Sequence, residues 1–97
     1  MPVSNEKILW SLHAVQKLRI EGLRKKEIEE SLKDCIIIED YDMKGRPLPG
    51  CLVLGYTESL PVHSVIAVDR ELDRIFIITV YKPSAERWEN GWKKRKK

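Results

Sequence analysis

The chain predicts an α+β domain with two N-terminal helices packed on a four-stranded, mainly antiparallel sheet, followed by a basic C-terminal tail. Three observations carry this reading. Apolar residues recur at helical spacing only in the first third, at Ile8, Leu12 and Val15 and then at Ile28 and Leu32. Strand-like runs rich in β-branched residues follow near 35–38, 51–56, 62–69 and 74–82. The order is helix, helix and then strands, without the alternation that a parallel βαβ sheet needs.

Ser4 or Asn5 is placed to cap the first helix, and Glu6 suits its positive end. Gly22 stands where a helix ends. The second helix is expected over 24–33, with Lys25/Glu29 and Lys26/Glu30 as i,i+4 pairs on its exposed side. The run from Asp42 to Gly50 is turn chemistry throughout. Pro83 closes the last strand, and 84–92 is expected as a short helix or irregular cover pinned by Trp88 and Trp92.

Ninety-seven residues predict a single domain over 1–92, with 93–97 as a disordered basic tail. Hydrophobic residues make up 42% and charged residues 34%, the balance of an ordinary soluble protein. No run reaches the roughly 18 apolar residues of a membrane span. The polar start, Met1 to Glu6, does not resemble an export signal. A cytoplasmic location without a membrane partner is therefore expected. Cys35 and Cys51 lie in apolar runs without Cys-x-x-Cys spacing, so they read as buried free thiols. No metal and no cofactor is expected. The net charge of +3 is unevenly spread: residues 1–26 carry +4, 27–45 carry −5, 46–92 carry −1 and 93–97 carry +5. Such a tail attracts nucleic acid or is simply solvated.

The candidate chemistry centres on the two histidines. At 100° per residue, Ile8, Leu12 and Val15 share one helix face, while Trp10, His13 and Lys17 lie on the other. In the strands, a hairpin turning near Glu71 sets His63 opposite Thr79 with Tyr81 diagonal to it; an odd register would turn both away. A histidine of near-neutral pKa serves as acid or base in metal-free cleavage of an RNA phosphodiester. His13 and His63 are thus the candidate acid–base pair, with Lys17 steadying the phosphate and Thr79 and Tyr81 positioning it. Arg19, Arg24, Arg87, Lys93, Lys94 and Arg95 are candidate RNA contacts. Each residue also has a plain structural role: His13 packing on Trp88 or Trp92, His63 bonded to Thr79, Thr79 and Tyr81 filling strand positions.

The ordered set of motifs resembles the small prokaryotic domain-of-unknown-function family 4258. It comprises His13-Ala14 with a basic residue four positions on, Gly22-Leu23, Leu52-Val53-Leu54-Gly55, the strand His63, and Ile77-Ile78-Thr79-Val80-Tyr81-Lys82-Pro83 ahead of Trp88. The likeness spans roughly 5–95. Members of that family are similar to RelE/MqsR-type ribonuclease toxins and to the wider barnase–EndoU–colicin–RelE fold, and some are encoded beside zinc-finger antitoxins. The resemblance implies a RelE/barnase-like architecture and a metal-independent endoribonuclease toxin of a toxin–antitoxin pair. RNA and a zinc-finger antitoxin would be its partners. The family's helical histidine falls at His13, its next basic residue at Lys17, and its second helix arginine at Glu21, which reverses the charge. Arg19 or Arg24 are the candidate substitutes. The alternative is a non-catalytic RNA- or protein-binding module of the same fold.

Overall fold

Ser11, rather than Ser4 or Asn5, starts the first helix. Its Oγ accepts the Ala14 amide at 3.0 Å, with Ser11 itself extended at φ −74° and ψ 157°. This is a side-chain N-cap, which satisfies one of the helix's otherwise unpaired amides. The computed structural model describes residues 7–41, 49–58 and 60–96. The expected caps Ser4, Asn5 and Glu6, and the expected turn from Asp42 to Leu48, lie outside the described residues, as does Lys97.

Because helix α1 (Leu12–Glu21) begins late, the residues before it extend as strand β1 (Ile8–Trp10). Helix α2 (Lys25–Ser31) follows, then strands β2 (Ile36–Tyr41), β3 (Gly50–Thr57), β4 (Leu60–Asp69) and β5 (Arg74–Tyr81). β1 pairs in parallel with β5, Ile8 opposite Ile75 and Trp10 opposite Ile77. The sheet therefore has five strands in the order β1-β5-β4-β3-β2 and is mixed, with one parallel pair. This corrects the expected four-stranded, mainly antiparallel sheet. The misleading signal was the helical spacing of Ile8, Leu12 and Val15. Leu12 is 75% exposed and Val15 is exposed too, whereas Ala14 and Leu18 form the buried side of α1.

Gly22 ends α1 as expected, in the left-handed region at φ 69°. Its amide donates to Arg19, and the Leu23 amide reaches back to Leu18 at 2.8 Å. This glycine closure satisfies the last carbonyls of the helix. Glu27 accepts the Arg24 amide at 2.9 Å and opens α2 in the same economical way.

Alternation along the strands separates two faces. One carries Cys51 and Val53 of β3, Val62 and Ile66 of β4, and Ile75, Ile77 and Val80 of β5. These pack with Ala14, Leu18, Leu23, Ile28 and Leu32 into the main core, where Cys35 and Cys51 sit as free thiols. The opposite face carries Leu52, Leu54, His63 and Tyr81. Among the described residues no helix covers it; the segment after β5 does, through the buried Trp88.

Two outcomes test this account. Ser11→Ala removes the cap and orphans the carbonyl that the serine hydroxyl binds; it should cost about 1–2 kcal/mol in a denaturant titration, with Ser11→Thr losing less. Gly55 lets α2 approach β3, since a Cβ there would collide with the backbone carbonyl of Ser31 and come within 2.9 Å of its Cβ. Gly55→Ala should therefore destabilise by about 1–3 kcal/mol, lowering the melting temperature.

Candidate functional site

The β4–β5 hairpin starts in one register and ends in another. Asp69 pairs with Arg74 around a four-residue turn. Asp69 accepts the Leu72 amide at 3.2 Å and the Arg74 guanidinium at 3.0 Å. Asp73, at φ 52°, completes the turn. Continued unchanged, this register would point Tyr81 toward the helices. Between Val65 and Ile66 the ladder shifts, leaving Ile78 as the extra residue of a β-bulge. Beyond it, Val65 pairs with Thr79 and His63 with Tyr81. Tyr81 thus takes the place expected for Thr79, and Thr79 the diagonal one, because the turn and the bulge each move the pairing by one position.

His63 is fully buried, at 0% exposure. The ring of Trp88 meets it edge-on, centroids 4.2 Å apart, and Tyr81 does so at 5.2 Å. Its Nε2 lies 2.8 Å from the Trp92 carbonyl oxygen and its Nδ1 lies 3.1 Å from the Tyr81 hydroxyl. A carbonyl only accepts, so Nε2 carries the hydrogen. In the neutral ring Nδ1 is then an acceptor, and Tyr81 donates to it. Burial pushes the His63 pKa below its ordinary value, against a weaker upward pull from the Trp92 bond. Burial likewise raises that of Tyr81 and keeps it a phenol.

The cover over His63 is built from residues 84–96. Trp88 donates its amide to Ser84 at 3.0 Å and forms an antiparallel bridge with Arg95. Glu89 donates to Lys94 and Lys96 to Arg87, each at 2.8 Å. Arg95 lies over the Trp88 ring at 4.8 Å and grips Glu39 with Nε at 2.8 Å and a terminal nitrogen at 3.1 Å. Such a two-pronged contact suits the planar guanidinium. Tyr41 donates to the same carboxylate at 2.9 Å. Arg95 holds Glu39 below the usual carboxylate range, while burial and Glu39 push Tyr41 up to about 12. A second bulge, between Ile37 and Glu39, turns Glu39 and Tyr41 to this face.

Beside the cover lies an open groove of about 610 Å³ lined by Lys17, Tyr81, Lys82, Arg87, Trp88 and Arg95, with Ser84 and Glu86. Four cations from three parts of the chain line it together with one tyrosine. Of the candidates from sequence, Lys17, Tyr81, Arg87 and Arg95 meet here. His13 is exposed on α1, one turn before Lys17. Neither histidine lines the groove: His13 is on the exposed surface of α1, and His63 is buried on the sheet face away from the main core. The expectation that His63 touches a phosphodiester is corrected by its burial: both ring nitrogens are engaged and no atom is open to solvent.

Arg19 is exposed beside Val15 and Ile20, on the outer side of α1, and Arg24 precedes α2. Neither lines this groove. Lys93 and Lys94 are exposed on the cover. Glu21 accepts the Lys82 backbone amide at 2.8 Å, so the charge-reversed position ties the end of α1 to the end of β5. Sequence reasoning missed Lys82, Glu39 and Tyr41. The i,i+2 spacing of Glu39 and Tyr41 was a usable signal, hidden because the strand was expected to stop at Ile38. Among the described residues, no three His, Cys, Asp or Glu side chains gather as metal ligands, and no helix is long and apolar enough to cross a membrane.

The model of a family described as a domain of unknown function (DUF4258) matches residues 10–82. No curated protein and no solved structure matches the chain.

The buried histidine makes stability pH-dependent with a defined sign. His63 is neutral in the fold and has an ordinary pKa of 6.5 when unfolded. The unfolded chain therefore takes up a proton first, and stability that is full above pH 6.5 is lost as the pH falls toward the depressed folded value. Glu39 acts in the same direction further down, its contribution present above its ordinary 4.5 and lost on acidification. Denaturant midpoints should fall between pH 7.5 and 5.5, and His63→Gln should flatten that slope. A midpoint unchanged over this interval would contradict a sealed, neutral His63.

Proposed function

The chain belongs to the DUF4258 family, and from that premise and the charge of its groove we propose that it is a metal-independent endoribonuclease of the toxin kind. The observation that carries the reading is the gathering of Lys17, Lys82, Arg87 and Arg95 with Tyr81 around one open groove. Cleavage through the 2′-hydroxyl builds negative charge on the phosphorus oxygens. Preorganised cations stabilise such charge more in the transition state than in the ground state. Arg95 shares its charge with Glu39. Among the described residues, Lys17, Lys82 and Arg87 have no carboxylate at ion-pair distance and are the groups that hold the phosphate. His13 is the exposed imidazole of the two, standing one turn from Lys17, and is the candidate for proton transfer. His63 serves by holding Tyr81. In this reading the chain acts on RNA in the cytoplasm and is restrained by a protein antitoxin of the zinc-finger kind.

The burial of His63 favours a second reading, a non-catalytic RNA-binding module, because the two-histidine couple is not assembled. One assay separates them: binding and cleavage of a labelled single-stranded RNA, together with growth arrest on expression. Lys17→Ala and Arg87→Ala should each slow cleavage by about 10²–10³. RNA bound with a steep salt dependence but never cut, without growth arrest, selects the binding module. Absence of binding at low salt overturns both.

A further inference from the structure

The Tyr81 hydroxyl has one proton and two lone pairs, and the structure fixes where the proton goes. The Trp92 carbonyl accepts at 2.8 Å, so His63 Nε2 is its donor. His63 Nδ1 is then a bare lone pair, 3.1 Å from the Tyr81 oxygen. The Tyr81 proton must therefore point inward, away from solvent, into a bond sealed beneath Trp88. Tyr81 lines the groove, and with its proton committed to His63 its hydroxyl has only acceptor capacity left.

This orientation selects among ligands. A phosphodiester carries only acceptor oxygens, which the lone pairs of Tyr81 repel and which the neighbouring lysines and arginine attract. A group that satisfies Tyr81 must donate a hydrogen bond while sitting next to a phosphate. The ribose 2′-hydroxyl is such a group, and deoxyribose lacks it. Resting on the groove reading above, we infer that Tyr81 distinguishes ribose from deoxyribose by accepting a hydrogen bond from the 2′-hydroxyl, and that His63 is a positioning residue that keeps Tyr81 in its accepting orientation. Lys17 and Arg87 hold the phosphate in either sugar; Tyr81 reads the sugar. A Tyr81 hydroxyl released from His63 would rotate to donate to phosphate and lose the distinction.

The test uses the intact chain and three fluorescein-labelled single strands of one sequence: RNA, DNA, and 2′-O-methyl RNA, whose 2′-oxygen cannot donate. Affinities are read by anisotropy, with strand integrity checked on denaturing gels. RNA should bind about tenfold more tightly than DNA, the size of one well-formed hydrogen bond. The methylated strand should bind like DNA. Tyr81→Phe should reduce the RNA:DNA ratio to about one. His63→Leu should also erase the ratio, and His63→Asn, whose side-chain oxygen replaces the Nδ1 acceptor, should restore most of it. Equal, salt-sensitive binding of all three strands by the unmutated chain overturns the inference and leaves the groove reading standing. So does an RNA preference that survives in Tyr81→Phe, or methylated RNA binding as tightly as RNA. No binding of any strand at low salt removes the groove reading itself. The comparison of the three strands on the unmutated chain does not depend on any variant folding.

Discussion

The Ser11 hydroxyl accepts the Ala14 amide of α1 and donates to the carbonyl of Ile78, the extra residue of the β5 bulge, at 2.9 Å. Its backbone amide also donates to the neighbouring Ile77 carbonyl at 3.0 Å. One residue thus starts the helix, ends β1 and satisfies backbone that the bulge takes out of the β4–β5 ladder. Buried backbone carbonyls without partners are costly, so the bulge is tolerable where Ser11 meets it. The bulge in turn decides which way Tyr81 faces. Without it, the odd register of the turn would put the tyrosine under the helices and leave His63 without its Nδ1 partner.

On the second face the same logic is repeated with side chains. Sheet positions that would otherwise expose Leu52, Leu54 and His63 are covered by a short returning segment with little apolar content beyond Trp88. That cover is held by the His63–Trp92 bond and by the Arg95–Glu39 fork, while Trp88 fills the space between them. An exposed ion pair contributes little. This one is partly sheltered, with Glu39 only 26% exposed, and it is backed by Tyr41 and by stacking on Trp88. The groove is the outer side of this arrangement. Its charge and its shape have one structural origin.

Both helices, the glycine that ends α1, the strand-like runs behind β2 to β5 and the family were legible in the sequence; the helix-first order was not, because β1 precedes α1. β1 was not, since three residues with apolar ends fit a helix as well as a strand, and only pairing with β5 decides. The register of β4 and β5 was half legible. A shared face for His63, Thr79 and Tyr81 was expected only for one register, and a bulge is a tertiary event: the run from Ile75 to Val80 is uniformly strand-forming and does not reveal which residue will be extra. The same holds for the site. Lys17, Tyr81 and Arg87 could be named from residue type and order. His63 was singled out for its chemistry when its burial assigns it to holding Tyr81, and burial depended on a cover whose path the charged run of lysines concealed. Glu21 looked like a lost phosphate contact and is a tether between α1 and β5.

The parallel pairing of the first strand with the last has a kinetic consequence. Ser11 and Ile78 are 67 positions apart. The entropy of closing so long a loop grows only logarithmically with its length, yet it must be met before the contact returns anything. The meander of β2, β3 and β4 needs only neighbouring segments. β1 and the cap of α1 must wait for β5 to be in place with its bulge. The pairing of β1 is thereby the longest-range closure in the topology, made on a β5 whose bulge already sets the direction of Tyr81.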